Sequence, residues 1–194
     1  ADKLDVDPTE IEIADIVKKE LTSESSFKRY VSEIILVDEL PNGSGFVRFL
    51  FNRFPEIISE TIKPENTKSY LGKMHSSHHQ TNCKDACYEC LKVFRNMNYH
   101  SLLDWRLGLS IIRLLNDATY KCGADGKFDY IELNGWLEFA RGLRNNFAES
   151  FGMETVEEID GLPIIKWGIR NKNVIVIVHP FWDMRNTRLD NWAN

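Results

Sequence analysis

A mixed α/β or α+β fold follows from three features of this 194-residue chain. Two short runs, Ile34-Ile35-Leu36-Val37 and Val174-Ile175-Val176-Ile177-Val178, are apolar without alternation, as strands covered on both faces are. Between them, apolar residues recur at intervals of three and four, the spacing of helices. A group of cysteines and histidines at 75–90 falls inside that helical region. Together these predict a mostly helical domain around a small, largely buried sheet, with a helical metal-binding module over about 75–122. The length suits one domain over 1–194.

Taken in order, Asp7-Pro8-Thr9 with Glu12 has the pattern of a capping box, and Ile13, Ile16, Val17 and Leu21 continue it at helical spacing. A polar loop follows at 22–26. Residues 31–37 read as a strand, covered on both sides because 34–37 runs apolar without alternation. Pro41-Asn42-Gly43-Ser44-Gly45 then turns the chain into a helix over about 45–51. Pro55 suits a first helical turn, with Ile57, Ile58 and Ile62 as its apolar side, and Pro64-Glu65-Asn66 ends that helix. A short segment covers 67–74. Residues 84–96 read as a helix, because Cys83, Cys87, Cys90 and Phe94 share one stripe. Residues 96–100 break the period, and a long helix over 101–116 buries Leu103, Leu107, Ile111, Leu114 and Leu115. Asp104 either caps it or orients His100. Asp129 and Glu132 open a further helix whose buried stripe is Trp136, Leu137, Ala140, Leu143 and Phe147, with Arg141 and Arg144 facing elsewhere. Residues 154–160 form a strand or edge, 162–167 a short strand, and 174–178 a central strand. The tail from 186 reads as frayed.

Charge and composition narrow the function classes. The net charge is -5, so the surface as a whole does not advertise nucleic acid, although a local basic face is compatible with that sum. No stretch of about 18 apolar residues is present, and no signal peptide is visible. The reading is of a cytoplasmic protein whose acidic start looks trimmed from something longer. The turn at 41–45 lacks the lysine and hydroxyl of a Walker motif and the dinucleotide fingerprint. The connection at 122–127 has too few acids for a calcium loop. Nothing resembles an activated nucleophile, so a hydrolytic triad is not expected.

Four cysteines are too few and too clustered for a disulfide scaffold of this length. Cys83, Cys87 and Cys90 lie within eight residues, behind His75, His78 and His79. A thioredoxin-like pair at Cys87 and Cys90 would leave Cys83 unexplained, and reduced thiols in a helix core are the plain alternative. The stronger reading is a zinc site with Cys83, Cys87 and Cys90 as ligands. Structural zinc takes four donors, and the fourth stays open between Cys122 and the histidines, of which His79 is one turn before Cys83.

Lys92, Arg95, Arg106 and Arg113 form a candidate nucleic-acid surface, since residues 106 and 113 share a helix face. The alternative is solvated charges paired with local acids. Asp38, Glu39, His179 and Asp183 stand at strand ends, where ligands of open sheets gather. They would have to converge on Mg²⁺ for a nuclease or phosphodiesterase to result.

Two blocks carry a resemblance. One is Leu36-Val37-Asp38-Glu39-Leu40-Pro41-Asn42-Gly43-Ser44-Gly45-Phe46. The other is Cys83 through Leu91, then Asn96, His100 and Leu102-Leu103-Asp104-Trp105-Arg106. Together they resemble the MrfA-type zinc-binding, helicase-associated domain. That domain occurs at the C-terminal end of bacterial superfamily 2 DNA helicases and in DrmB-like companion proteins of DISARM phage defence. The similarity covers about 31–115, and His179-Pro180-Phe181-Trp182 matches a closing segment of the companion proteins. Asn42-Gly43-Ser44-Gly45 stands where the family usually has paired glycines. The resemblance implies a cysteine-bound zinc, a role in DNA repair or antiviral defence, and a helicase or defence-complex partner. The chain has no Walker lysine and no DEAD-like acidic box, so it implies no ATPase here. The expected function is a zinc-stabilised accessory domain, more a scaffold than an enzyme, that docks a partner and contacts DNA. A purely structural interaction domain is the alternative from a different class.

Overall fold

The structure, a computed structural model, describes residues 10–21, 29–40, 43–63, 69–153, 156–159, 161–168 and 173–182. Thr9, the loop at 22–26, Pro41, Asn42, Pro64-Glu65-Asn66, Thr67, Glu154, Asp160, Lys172, Asp183 and the tail from 186 lie outside the described residues. The fold is α+β, with short helices and small antiparallel sheets. It divides into two compact units, Ala1–Met74 and His75–Asn194, where the sequence suggests one domain.

The first unit opens with a hairpin of β1 (Ile11–Leu21) and β2 (Arg29–Asp38). The helix expected after Thr9 is therefore a strand. Ile11, Ile13, Ile16 and Val17 are β-branched, and the antiparallel partner supplies hydrogen bonds that a sequence window cannot see. A bulge between Ile13 and Asp15 shifts the phase by one residue, so that Ile13 opposite Leu36 and Ile16 opposite Ile34 share a face. That face is open: Ile13, Ile16 and Ile34 are 54%, 60% and 47% exposed, which corrects the expectation of a strand covered on both sides. Helices α1 (Phe46–Asn52), α2 (Phe54–Thr61) and α3 (Tyr70–Met74) follow, with proline at the start of α2 as expected.

The second unit begins with α4 (Ser77–Asn82), the cysteine turns, a 3₁₀ helix (Phe94–Tyr99) and α5 (Trp105–Asn116). No helix runs over 84–96. The backbone there turns repeatedly, with Cys90 N–H and Lys92 N–H both donating to the carbonyl of Cys87 (3.1 and 3.0 Å). The long helix starts at Trp105 because the carboxylate of Asp104 caps it, accepting from the amides of Arg106 (2.7 Å) and Leu107 (3.4 Å). Its buried residues are Trp105, Leu109 and Ser110, while Ile111 and Leu115 are exposed.

A second 3₁₀ helix (Ile131–Leu133) leads to α6 (Trp136–Ser150), which packs on the three-stranded sheet β3 (Val156–Ile159), β4 (Leu162–Trp167) and β5 (Asn173–Val176). On α6 the buried residues are Ala140, Arg144 and Ala148, and Leu143 and Phe147 are exposed. Arg141 and Arg144 both turn to β3: Arg141 meets the Glu158 carboxylate (2.7 Å) and Arg144 donates to the Glu157 carbonyl (2.8 Å). The strand order is β3-β4-β5, so β4 is central and buried, while the aliphatic run of β5 is at an edge. The core of this unit joins Leu162 of β4 to Trp182, Ala124 and Cys122, with Tyr120, Phe128 and Trp136 packed around them. Among the described residues no helix is long and apolar enough to cross a membrane.

Candidate metal centre

Helix α4 starts with Ser76, whose hydroxyl accepts the amide of His79 (3.2 Å). It ends one turn later at Cys83, whose amide donates to the carbonyl of His79 (2.8 Å). Residues four apart lie on one helix face, so the imidazole and the Cys83 thiol point the same way. The His79 ring is buried edge-on against Trp105, the first residue of α5, with centroids 5.5 Å apart. The following turn brings the other two thiols back. Cys87 N–H donates to Sγ of Cys90 (3.0 Å), and Sγ of Cys90 lies 3.7 Å from Sγ of Cys83.

One donor atom from each of His79, Cys83, Cys87 and Cys90 therefore lies within 4.8 Å of all the others. A tetrahedral ion with metal–sulfur bonds of about 2.3 Å has sulfur–sulfur edges of about 3.8 Å. The Cys83–Cys90 separation is that edge. The cluster of three sulfurs and one nitrogen could hold a metal ion, and no other such group is found among the described residues.

The site is fastened from outside. The amide of Trp105 donates to the Asp85 carbonyl (2.9 Å), and Arg106 donates to the Lys84 carbonyl while its guanidinium covers the Trp105 ring at 4.6 Å. Beyond the last cysteine, Asn96 accepts from the amide of Val93 (2.9 Å) and donates to the Leu91 carbonyl (2.8 Å). The His100 ring bonds the Asn96 side chain (2.9 Å). Asn96 and His100 brace the turn that carries the ligands and do not join the site.

The thiols of Cys83 and Cys87 are shifted in opposite directions. Burial, followed by the neighbouring Cys87 and Cys90, pushes the Cys83 thiol up to about 12. For Cys87 burial is again the largest influence and acts upward, but amides of Glu89 and Cys90 and the adjacent thiols together bring it below its ordinary value. Three thiolates this close repel one another, and a bound cation reverses that balance.

Other candidates fall elsewhere. Cys122 lies outside the cluster. It sits in a turn with φ of +50°, its carbonyl accepts Nε1 of Trp182 (2.9 Å), and its thiol is packed among Ala124, Leu162 and Trp182. Burial, then the charge of Glu132, raises that thiol to about 11. His78 pairs with Asn82 (3.1 Å). His75 is lowered by burial and then by Arg113.

Arg113 is not on a nucleic-acid face: it is paired with buried Glu132, stacked on Tyr130 at 4.6 Å, and only 15% exposed in its side chain. Tyr120 donates to the same carboxylate (2.9 Å). This buried ion pair escaped the sequence reading, because residues 113 and 132 meet only through tertiary folding.

Of the four proposed Mg²⁺ ligands, Asp38 and Glu39 belong to the first unit and His179 to the second. The Asp38 carboxylate accepts the amides of Gly45 (3.1 Å) and Val47 (2.9 Å), so it holds the glycine turn. Glu39 is at the end of β2 in the first unit. His179 is buried beside Trp136 and Trp182 in the second, and Asp183 lies outside the described residues.

The arrangement is an α+β fold carrying a Cys₃His cluster able to coordinate a metal ion. No family model, curated protein or solved structure matches the chain.

Proposed function

We propose that His79, Cys83, Cys87 and Cys90 hold one zinc ion as a structural centre, and that the protein is a non-catalytic accessory module of a DNA-processing or phage-defence assembly. The single observation behind the first part is the convergence of the four donors within 4.8 Å. Thiolate and imidazole suit zinc, whereas calcium and magnesium take oxygen. Four protein ligands complete a tetrahedron and leave no position for water or substrate. The ion's work is then to fold: it clips the end of α4 to the 87–90 turn, and Trp105 and Arg106 carry that order into α5.

The accessory role rests on the two sequence blocks that resemble the MrfA and DrmB-like proteins. The cysteines and the bracing pair Asn96 and His100 all belong to the second block. A helicase or defence-complex protein is the partner this reading implies. DNA contact on it uses Lys92, Arg95 and Arg106, and not Arg113, whose charge is taken by Glu132.

Elemental analysis of protein purified without chelator tests the centre. About one equivalent of zinc is expected, falling to a small fraction in Cys87→Ser. Metal-free protein that folds identically, with or without added zinc, would remove the proposal.

A further inference from the structure

We infer that Cys87 and Cys90 are an oxidation site, a pair that hydroperoxides convert to a disulfide with release of the metal; the inference rests on the zinc reading of the cluster. The four donors are not equivalent. His79 and Cys83 are only 2% and 3% exposed, the first of them packed on Trp105. Cys87 and Cys90 are partly exposed, so a small oxidant in solvent meets their sulfurs before that of Cys83. The fourth cysteine, Cys122, is buried in the core of the second unit.

The backbone already has the shape that such a disulfide needs. Cys90 N–H donates to the Cys87 carbonyl (3.1 Å), which closes a turn of four residues. The Cα atoms at the ends of a turn of this kind lie within about 7 Å, and disulfides span Cα separations of about 4.4–6.8 Å. The amide of Cys87 donates to Sγ of Cys90 (3.0 Å), so that sulfur is folded back over the start of the turn. The two sulfurs lie within 4.8 Å of each other, and side-chain rotation on one turn joins them. Sγ of Cys83 is also near that of Cys90 (3.7 Å), but Cys83 belongs to the buried half of the cluster and stands outside the turn, at the end of α4.

The chemistry balances with one hydroperoxide as the oxidant. One exposed thiolate attacks it: an S–O bond forms, the O–O bond breaks, hydroxide leaves, and a sulfenic acid results. The second thiolate then attacks that sulfur. The S–S bond forms, the S–O bond breaks, and a second hydroxide leaves. Two electrons have passed from the sulfur pair to the peroxide. The disulfide no longer offers thiolates, so His79 and Cys83 remain as two donors where structural zinc takes four. The turn keeps its own hydrogen bond, but its clip to α4 is lost. What loosens is the stretch whose carbonyls, Lys84 and Asp85, receive Arg106 and the amide of Trp105, so oxidation is felt at the start of α5. A thiol reductant and zinc reverse the change.

Hydrogen peroxide added stepwise to the zinc-loaded chain tests the site. Released zinc is read with a chromogenic chelator, free thiols with a thiol reagent, and the state of each cysteine by mass spectrometry after differential alkylation. About one zinc should leave for each peroxide consumed, with the loss of two of the four thiols. The peptide map should show Cys87 joined to Cys90, with Cys83 and Cys122 still alkylated as thiols, and dithiothreitol with zinc should return the metal. Zinc-loaded protein that keeps its metal and its thiols under peroxide overturns the oxidation site and leaves the metal centre standing. So does a disulfide through Cys83 or Cys122, or zinc loss through sulfinic acids that dithiothreitol does not reverse. Protein that carries no zinc before any peroxide is added overturns the metal centre and this inference together.

Discussion

At the scale of single residues, Glu132 is the most exacting position in the second unit. Its side chain is 0% exposed, and one oxygen receives both Arg113 and Tyr120. A buried carboxylate is tolerable only while its partners remain. Arg113→Met keeps the stem that packs on Tyr130 but removes the charge. We expect it to lower stability by about 3–5 kcal/mol, read as the urea midpoint. Arg113→Met combined with Glu132→Leu should recover most of that loss, and a double variant as unstable as the single would show that the ion pair is not the reason.

Cys122 is a contrasting case. The sequence offers it as a zinc ligand because a turn-rich stretch follows, but its left-handed backbone and its carbonyl bond to Trp182 give it a packing role. The neighbouring Gly123 explains the constraint: at φ of +84°, an added Cβ would lie 2.5 Å from the Phe128 ring.

At the scale of elements, the metal turn depends on a few hydrogen bonds that are local once the ligands are in place. Removing the ion with a chelator should therefore release the amides of Cys87, Cys90 and Lys92 first, together with that of Trp105, which bonds Asp85 across the turn. Hydrogen exchange is expected to quicken over 83–105 while the buried strand β4 stays protected. Uniform loss of protection, or none, would place the ion's contribution elsewhere.

The same segment shows what a sequence can and cannot reveal. Cys83, Cys87, Cys90 and Phe94 satisfy helical spacing, but ligands converging on one point satisfy it equally well through a turn, and the amide of Cys87 bonded to sulfur favours the turn. His79 stood only as one candidate for the fourth donor, beside Cys122, because it lies one helical turn before Cys83. The strand β1 was not, since Ile13, Ile16 and Val17 fit a helical stripe and only the distant partner β2, with a bulge, makes them a strand. Strands β3, β4 and β5 were legible as elements but not in order. A run of valine and isoleucine reports apolar character and cannot say that β5 is at the edge and Leu162-Pro163-Ile164-Ile165 at the centre.

At the scale of the whole molecule, the second unit closes on a histidine that burial keeps from taking a second proton readily. His179 is 3% exposed, tilted against Trp136, Phe181 and Trp182, and its Nδ1 accepts the amide of Phe181 (3.3 Å). Burial holds its pKa below the ordinary value, with Asp104 acting weakly the other way. His75 is shifted in the same direction, by burial and then by Arg113. For groups kept neutral by the fold, the unfolded chain takes up protons first as pH falls. Stability is then undiminished above the ordinary histidine value of about 6.5 and drains away below it, until the folded pKa is reached. Each such histidine contributes a slope of up to about 1.4 kcal/mol per pH unit in that window. Asparagine at 179 can keep an acceptor near the place of Nδ1 and cannot titrate. Urea unfolding of wild type and His179→Asn at pH 7.5 and 5.5 should therefore show a gap that narrows in acid, by about 1 kcal/mol, because wild type alone loses this contribution. Any metal held by the cysteines also weakens in acid, but identically in both proteins, so the difference isolates the imidazole. Parallel losses would mean that His179 is protonated without cost, and a gap that widens would mean that the fold welcomes the charge.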